Sequence, residues 1–226
     1  MSDRHEGHQG HGHGPVGGDE PPVLDAAFWD ARYSDSEAMW SGEPNPTLVE
    51  LLTDVDAGRA LEVACGEGAD AVWLARQGWD VVAVDLSEVA VRRASELVVG
   101  NAAEVAPAIT FVVGDVVEDR LPAGPFDLVV AFFLHVAEAD RAAALRNRAA
   151  LVAPGGLLLD VQHDRRDLAT GVERPPFEEW YVRDGELAGL LGDGWDVLVD
   201  EPRPRDQDDD EGVTVHDAVL LARRTG

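Results

Sequence analysis

Apolar and polar positions along this chain change period in regular alternation. Residues 60–64 (ALEVA), 79–85 (WDVVAVD), 108–115 (AITFVVGD), 126–134 (FDLVVAFFL) and 155–163 (GGLLLDVQH) are short apolar runs, most of them bounded by Gly, Pro or Asp. That is the pattern of buried strands. Helical spacing fills the gaps. Residues 69–78 read as a helix stopped by Gly78. Ser87 suits the N-cap of the next helix, in which Ala90, Ala94 and Leu97 recur on one face. Residues 139–152 place Ala142, Leu145, Ala149 and Val152 together, and 186–191 read as a last helix. Two further strands follow at 195–202 and 213–224, joined by a stretch with five acids in 206–211, which reads as a solvated hairpin loop. Upstream, 24–33 is a short helix with Leu24, Phe28 and Ala31 on one side, and Pro46 opens another.

Parallel strand–helix–strand units closed by a hairpin predict an α/β fold. The expected form is one domain with a doubly wound, mostly parallel seven-stranded sheet and a terminal antiparallel hairpin. Ligands of such sheets sit at the carboxyl ends of the strands. The first 22 residues stand apart: they are rich in Gly, Pro and charge and hold His5, His8, His11 and His13, so they read as a disordered tail before a domain spanning 23–226.

Composition narrows the chemistry. The 226 residues carry 44 Asp+Glu against 18 Lys+Arg, a formal net charge of −26, and every one of the 18 cations is arginine. Without lysine there is no Schiff-base chemistry and no P-loop or kinase lysine. The acidity opposes nucleic-acid binding, which needs a basic face. No apolar run approaches the roughly 20 residues of a membrane span, and the polar start lacks a signal-peptide pattern. One cysteine, Cys65, permits no internal disulfide and fits a reducing cytoplasm. Nothing in the sequence sets an oligomeric state.

The segment 61–71 (LEVACGEGADA) carries the strongest signal: a strand, a glycine turn and a helix start. Gly66 and Gly68 let backbone amides approach a ligand. Gly66, Gly68 and Ala71 also satisfy the dinucleotide fingerprint, and Asp85 at the end of the second strand suits ribose hydroxyls in either reading. Position separates the two. Glu62, four residues before Gly66, is a carboxylate at a strand end, where an ammonium group would be met; a nicotinamide dinucleotide has none and S-adenosylmethionine has one. Asp115, ending the third strand, adds a second acid, for an adenine amino group.

Together, Glu62, Ala64, Gly66, Gly68, Asp85, Asp115, the Phe126–Asp127 strand start and the Pro154–Gly155–Gly156 turn resemble the class I S-adenosylmethionine-dependent methyltransferases over about residues 25–224. The opening Trp29, Asp30, Arg32, Tyr33, Trp40, Gly42, Pro44 and Asn45 is similar to the bacterial tellurite-resistance and thiopurine-methyltransferase group. One departure is Ala64, where the family usually has its first glycine; it is expected in a strand-like conformation and tolerated.

The resemblance implies a Rossmann-like fold, S-adenosyl-L-methionine as cofactor and a small-molecule acceptor. Glu62 would face the methionine amino group and Arg32 its carboxylate. Residues Ala64 to Gly68 would pass under methionine and ribose, Asp85 would take the ribose hydroxyls, and Leu86 would pack on adenine. Asp115 and Val116 would meet the adenine edge, Phe132 would lie by the sulfonium, and Tyr33 and Trp40 would lid the pocket. His135 after the fourth strand and His163 ending the fifth are proposed as base and partner for acceptors that must lose a proton. His216 reads as structural, Cys65 as packing, and Trp73 and Trp79 as core. No metal site is expected in the domain. Two other readings stand beside this one: a nicotinamide-dependent oxidoreductase, and a non-catalytic metal-binding protein acting through the histidine tail.

Overall fold

The computed structural model describes residues 22–36, 39, 41–170, 177–206 and 213–226. The histidine tail (apart from Pro22), Trp40 and most of the acidic 206–211 stretch lie outside them. Seven strands form one sheet: β1 (Arg59–Val63), β2 (Asp80–Asp85), β3 (Ile109–Val113), β4 (Phe126–Phe132), β5 (Val152–His163), β6 (Trp195–Asp206) and β7 (Thr214–Arg224). Their order is β3-β2-β1-β4-β5-β7-β6. The first five are parallel, and β7 runs antiparallel to both β5 and β6. This is the expected doubly wound sheet with a terminal hairpin. The order reverses between β1 and β4, which opens a crevice at their carboxyl ends.

The helices are α1 (Ala26–Asp35), α2 (Pro46–Leu52), α3 (Ala69–Arg76), α4 (Glu88–Asn101), α5 (Glu138–Ala150) and α6 (Glu186–Leu191). One core joins Leu48 and Leu52 of α2, Leu74 of α3 and Val98 of α4 to Val81, Leu128, Val130 and Leu159 of the sheet; Trp79 is buried in it. On the opposite face Ala144, Leu145 and Leu187 meet Leu61, Val129, Leu158 and Leu220. The central strands β1, β4 and β5 therefore alternate between two buried faces, and this explains their near-continuous apolar runs.

Several boundaries and faces differ from the expectation for identifiable reasons. The outer strand β6 continues through Pro202 and Pro204 to Asp206, where the sequence reads as a loop. An edge strand tolerates prolines because half of its amides need no ladder partner. On α4 the third buried position is Val98, and Leu97 is exposed. On α5 the buried face is Arg141, Ala144, Leu145 and Arg148, not the apolar set Ala142, Leu145, Ala149 and Val152. Apolar counting misses that face because two arginines on it find partners inside. Arg148 pairs with Asp160 of β5 at 2.6 Å, with the two side chains 2% and 0% exposed. Arg148 Nε donates to the Ala144 carbonyl, and Gln162 Nε2 donates to Asp160 Oδ1. Arg141 pairs with Glu186, and its Nη2 donates to the carbonyls of Glu179 and Tyr181.

A buried pair is costly to break and cheap to replace by well-packed apolar groups. Arg148→Met alone is expected to destabilise the protein by about 3–5 kcal/mol, because it strands the Asp160 charge. Adding Asp160→Leu should recover most of that loss. Urea unfolding of the single and double variants measures both.

Candidate active site

The chain leaves β1 at Val63 and turns through residues 64–68 before α3. Gly66 and Gly68 hold φ of +52° and +84°, the second as N-cap of α3. A Cβ on Gly68 would stand 3.2 Å from the Phe111 ring, so only glycine fits without displacement. Ala64, expected to be strand-like, has φ of +61°. This corrects the expectation: the position is left-handed, and alanine there bears a backbone strain of about 1 kcal/mol that glycine would not.

Asp85 ends β2 and joins two loops. Its Oδ2 accepts from the Gly66 amide and its Oδ1 from the Ser87 amide, each at 2.9 Å. A carboxylate has about four acceptor sites, so capacity remains for ribose hydroxyls. Glu62, on β1, is 1% exposed, and its Oε2 is buried with no hydrogen-bond partner among the described residues. Burial pushes its carboxyl well above the usual range, and the nearby Asp70 and Asp85 raise it further. Burial lifts Asp70 to about 6 and raises Asp85 too. The same burial raises the Cys65 thiol well above its usual value, so it remains neutral, as a packing residue would. Three carboxyl groups that resist ionisation therefore surround one glycine turn.

The entry segment is tied over this turn. Asp30 of α1 accepts from the Ser87 hydroxyl at 2.6 Å and from the Val89 amide at 3.2 Å. Arg93 donates to the Ser36 carbonyl at 2.6 Å and lies 3.5 Å from Glu67, which accepts from the Met39 amide. Asp70 accepts from the Asn45 amide at 2.6 Å. Tyr33 is buried in this wall, and the Arg32 guanidinium lies 5.7 Å from the Phe28 ring centroid.

The residues expected at the adenine edge are partly occupied. Asp115 Oδ1 accepts from the amides of Val117 and Glu118, and Oδ2 pairs with Arg120 at 2.8 Å. Val116 is buried in the second core, and Leu86 is half-buried beside Asp85. Phe132, expected beside the sulfonium, is a member of the first core. The next residue, Phe133, takes φ of +49° and stacks on His163 with centroids 4.7 Å apart.

His135 and His163 do come together. Their ring centroids are 5.3 Å apart, and they are 8% and 5% exposed. Trp29 stacks on His135 at 5.9 Å, Trp180 meets it edge-on at 5.4 Å, and Tyr181 lies 5.8 Å from His163. His216 belongs elsewhere: its Nδ1 lies 3.1 Å from Asp167.

A family model described as a methyltransferase domain matches residues 60–156, from β1 into β5. Glycine N-methyltransferase of Rattus norvegicus is 30% identical over 70% of this chain, which spans 58% of that relative's length. Thiopurine S-methyltransferase of Bordetella petrii is 29% identical, over 80% of this chain and 91% of the relative. A solved structure titled for the conversion of a disulfide bond into a thioacetal group during echinomycin biosynthesis superimposes with a TM-score of 0.69. It is 21% identical and covers 88% of this chain and 91% of its own. Residues 60–156 match a methyltransferase domain, and the chain is similar to S-adenosylmethionine-dependent methyltransferases over most of its length.

The carboxyl basin fits S-adenosylmethionine, the cofactor this similarity implies. The cofactor brings an ammonium and a sulfonium. A cation beside Glu62, Asp70 and Asp85 would favour their ionised forms, which burial disfavours. The open Oε2 of Glu62 is an acceptor for an ammonium donor. A dinucleotide pyrophosphate would bring anions to the same acids. Asp70 escaped the sequence reading. Its signal was an acid in the first turn of the helix after the glycine turn, which looks like ordinary helix-end complementarity until burial is known.

Two outcomes are expected for the cofactor-free protein. Ala64→Gly should raise stability by up to about 1 kcal/mol, read as a higher urea midpoint. Asp70 has a folded pKa raised from 3.8 to about 6. Its contribution is therefore fully present below pH 3.8 and is lost as pH rises through about 6. Urea midpoints across that window should fall less in Asp70→Asn than in the parent.

Proposed function

We propose that this chain transfers the methyl group of S-adenosylmethionine to a small-molecule acceptor held at the carboxyl ends of β4 and β5. The observation that carries the reading is the buried basin of Glu62, Asp70 and Asp85 around the glycine turn. Glu62 would hold the methionine ammonium, Asp85 the ribose hydroxyls, and Leu86 the adenine face. Val116 and the Asp115 turn would border the adenine edge, with Arg32 toward the methionine carboxylate and Tyr33 over the pocket. The cofactor supplies an activated methyl on sulfur, so the protein's work is orientation and exclusion of water. The entry segment, tied down through Asp30, Glu67, Asp70 and Arg93, serves that exclusion.

The acceptor's lone pair would form the new bond to the methyl carbon as the carbon–sulfur bond breaks and its electrons go to sulfur. Where the acceptor heteroatom carries a proton, His135 would take it, with His163 behind. The aromatic rings of Trp29, Phe133 and Trp180 around these histidines favour a small organic acceptor with an apolar body. A net charge of −26 disfavours nucleic acids and anionic acceptors, metalloid oxyanions included. The relatives named for glycine and thiopurines act on small molecules, which supports the same class of acceptor. No helix among the described residues is long and apolar enough to cross a membrane. The single cysteine supports a cytoplasmic setting.

Isothermal titration should give micromolar binding of S-adenosylhomocysteine and none of a nicotinamide dinucleotide. Glu62→Gln should weaken the former at least 10-fold, the loss of one charged hydrogen bond. Preference for the dinucleotide would overturn the assignment. A release assay for S-adenosylhomocysteine over small thiols, phenols and amines should then find the acceptor. With a proton-bearing acceptor, His135→Gln should lose about 100-fold in turnover with cofactor affinity kept.

A further inference from the structure

The His135–His163 pair is backed by a carboxylate from a distant strand. β5 and β7 are antiparallel, and His163 stands opposite Asp217 in their register. Directly paired residues share a face, with Cβ atoms about 4.5–5.5 Å apart. The neighbouring pairs confirm which face this is, since Val161, Val219, Leu159 and Leu221 all lie in the first core. Asp217 is 2% exposed. Its carboxylate meets Arg205 of β6 in a fork, with Nε–Oδ2 at 2.9 Å and Nη2–Oδ1 at 3.4 Å. The same guanidinium lies 5.5 Å from the Phe133 ring centroid, and Phe133 stacks on His163. Ring contacts, an ion pair and strand register thus link His163, Phe133, Arg205 and Asp217 behind His135.

We propose that Asp217 is a positioning residue for the base: it fixes the tautomer and tilt of His163, and through that ring the orientation of His135. The inference rests on the reading of His135 as the base. A buried carboxylate beside an imidazole favours a proton on the facing nitrogen, which leaves the other nitrogen to address its neighbour. Arg205 holds the carboxylate in place through both oxygens, so the imidazole cannot pull it round. Tyr181 presents an aromatic ring to His163, and Asp164 Oδ1 accepts from the Arg166 amide and lies 2.9 Å from its guanidinium.

The test is the imidazole titration of His163, followed by NMR on the full chain saturated with S-adenosylhomocysteine. Asp217→Asn should lower the His163 midpoint by about one pH unit or more, because a neighbouring anion is lost. S-adenosylhomocysteine affinity should stay within about two-fold of the parent. Asp217→Glu should keep most of the midpoint. A lowered melting temperature with an unmoved His163 midpoint would reduce Asp217 to a structural ion pair with Arg205 and overturn the inference. Should Asp217→Asn fail to fold, the parent protein decides: nitrogen shifts of a single fixed His163 tautomer support the inference, and shifts of an exchanging mixture refute it. The turnover of His135→Gln tests the base and this titration tests Asp217, so either reading can fail without the other.

Discussion

Two backbone amides ending on one carboxylate organise the cofactor end of this sheet. Asp85 accepts from Gly66 in the first glycine turn and from Ser87 at the start of α4. Both loops at the switch side of the sheet are thereby set by a single buried side chain. The entry segment then docks on what Asp85 has arranged, since Asp30 binds the Ser87 hydroxyl and Asp70 binds the Asn45 amide. Burying acids so closely is unfavourable in the cofactor-free chain. A cationic ligand relieves that cost, so the unfavourable term becomes affinity when the ligand arrives.

The charge of the chain has two physical meanings. Among the described residues most of the acids lie on exposed faces, where they act on solubility and on the choice of partner. A minority are buried, and nearly all of those meet either the glycine turn or an arginine. Arg148 with Asp160, Arg141 with Glu186 and Arg205 with Asp217 are inside the fold or at its edge. A planar guanidinium offers several donors at fixed angles and is less strongly hydrated than an ammonium, so it suits such places better than lysine. The lack of lysine, first useful for excluding chemistries, is matched by this use of arginine as an internal connector.

The proposed acceptor corner is made from parts far apart in the chain. Trp29 comes from α1, Phe133 and His135 from the connection after β4, His163 from the end of β5 and Trp180 from the turn before α6. Asp217 and Arg205 stand behind them on the terminal hairpin. The cofactor side is different: Glu62, Gly66, Gly68 and Asp70 lie within nine residues, and Asp85 follows one helix later.

That difference separates what the sequence determined from what the tertiary structure decided. Strand runs, helix periods and the glycine turn are local, so the order of elements, the parallel sheet and the turn after β1 were legible from residue spacing. The terminal hairpin was legible too, though prolines hid how far its outer strand extends. Anything that depended on which polar groups are buried together was not legible. The buried face of α5 contains two arginines because Asp160 and Glu186 wait there, and no periodicity records a partner on another element. Ala64 looked like a strand residue because its backbone angle is imposed by the turn around it. Phe132 and Phe133 are adjacent and chemically alike, and only the strand's end decides that Phe132 is buried in the core while Phe133, half-buried at its margin, stacks on His163. The pairing of His163 with Asp217 is a matter of register across β5 and β7. Local sequence encodes preference for a conformation, whereas register and burial emerge only when distant segments share one interior.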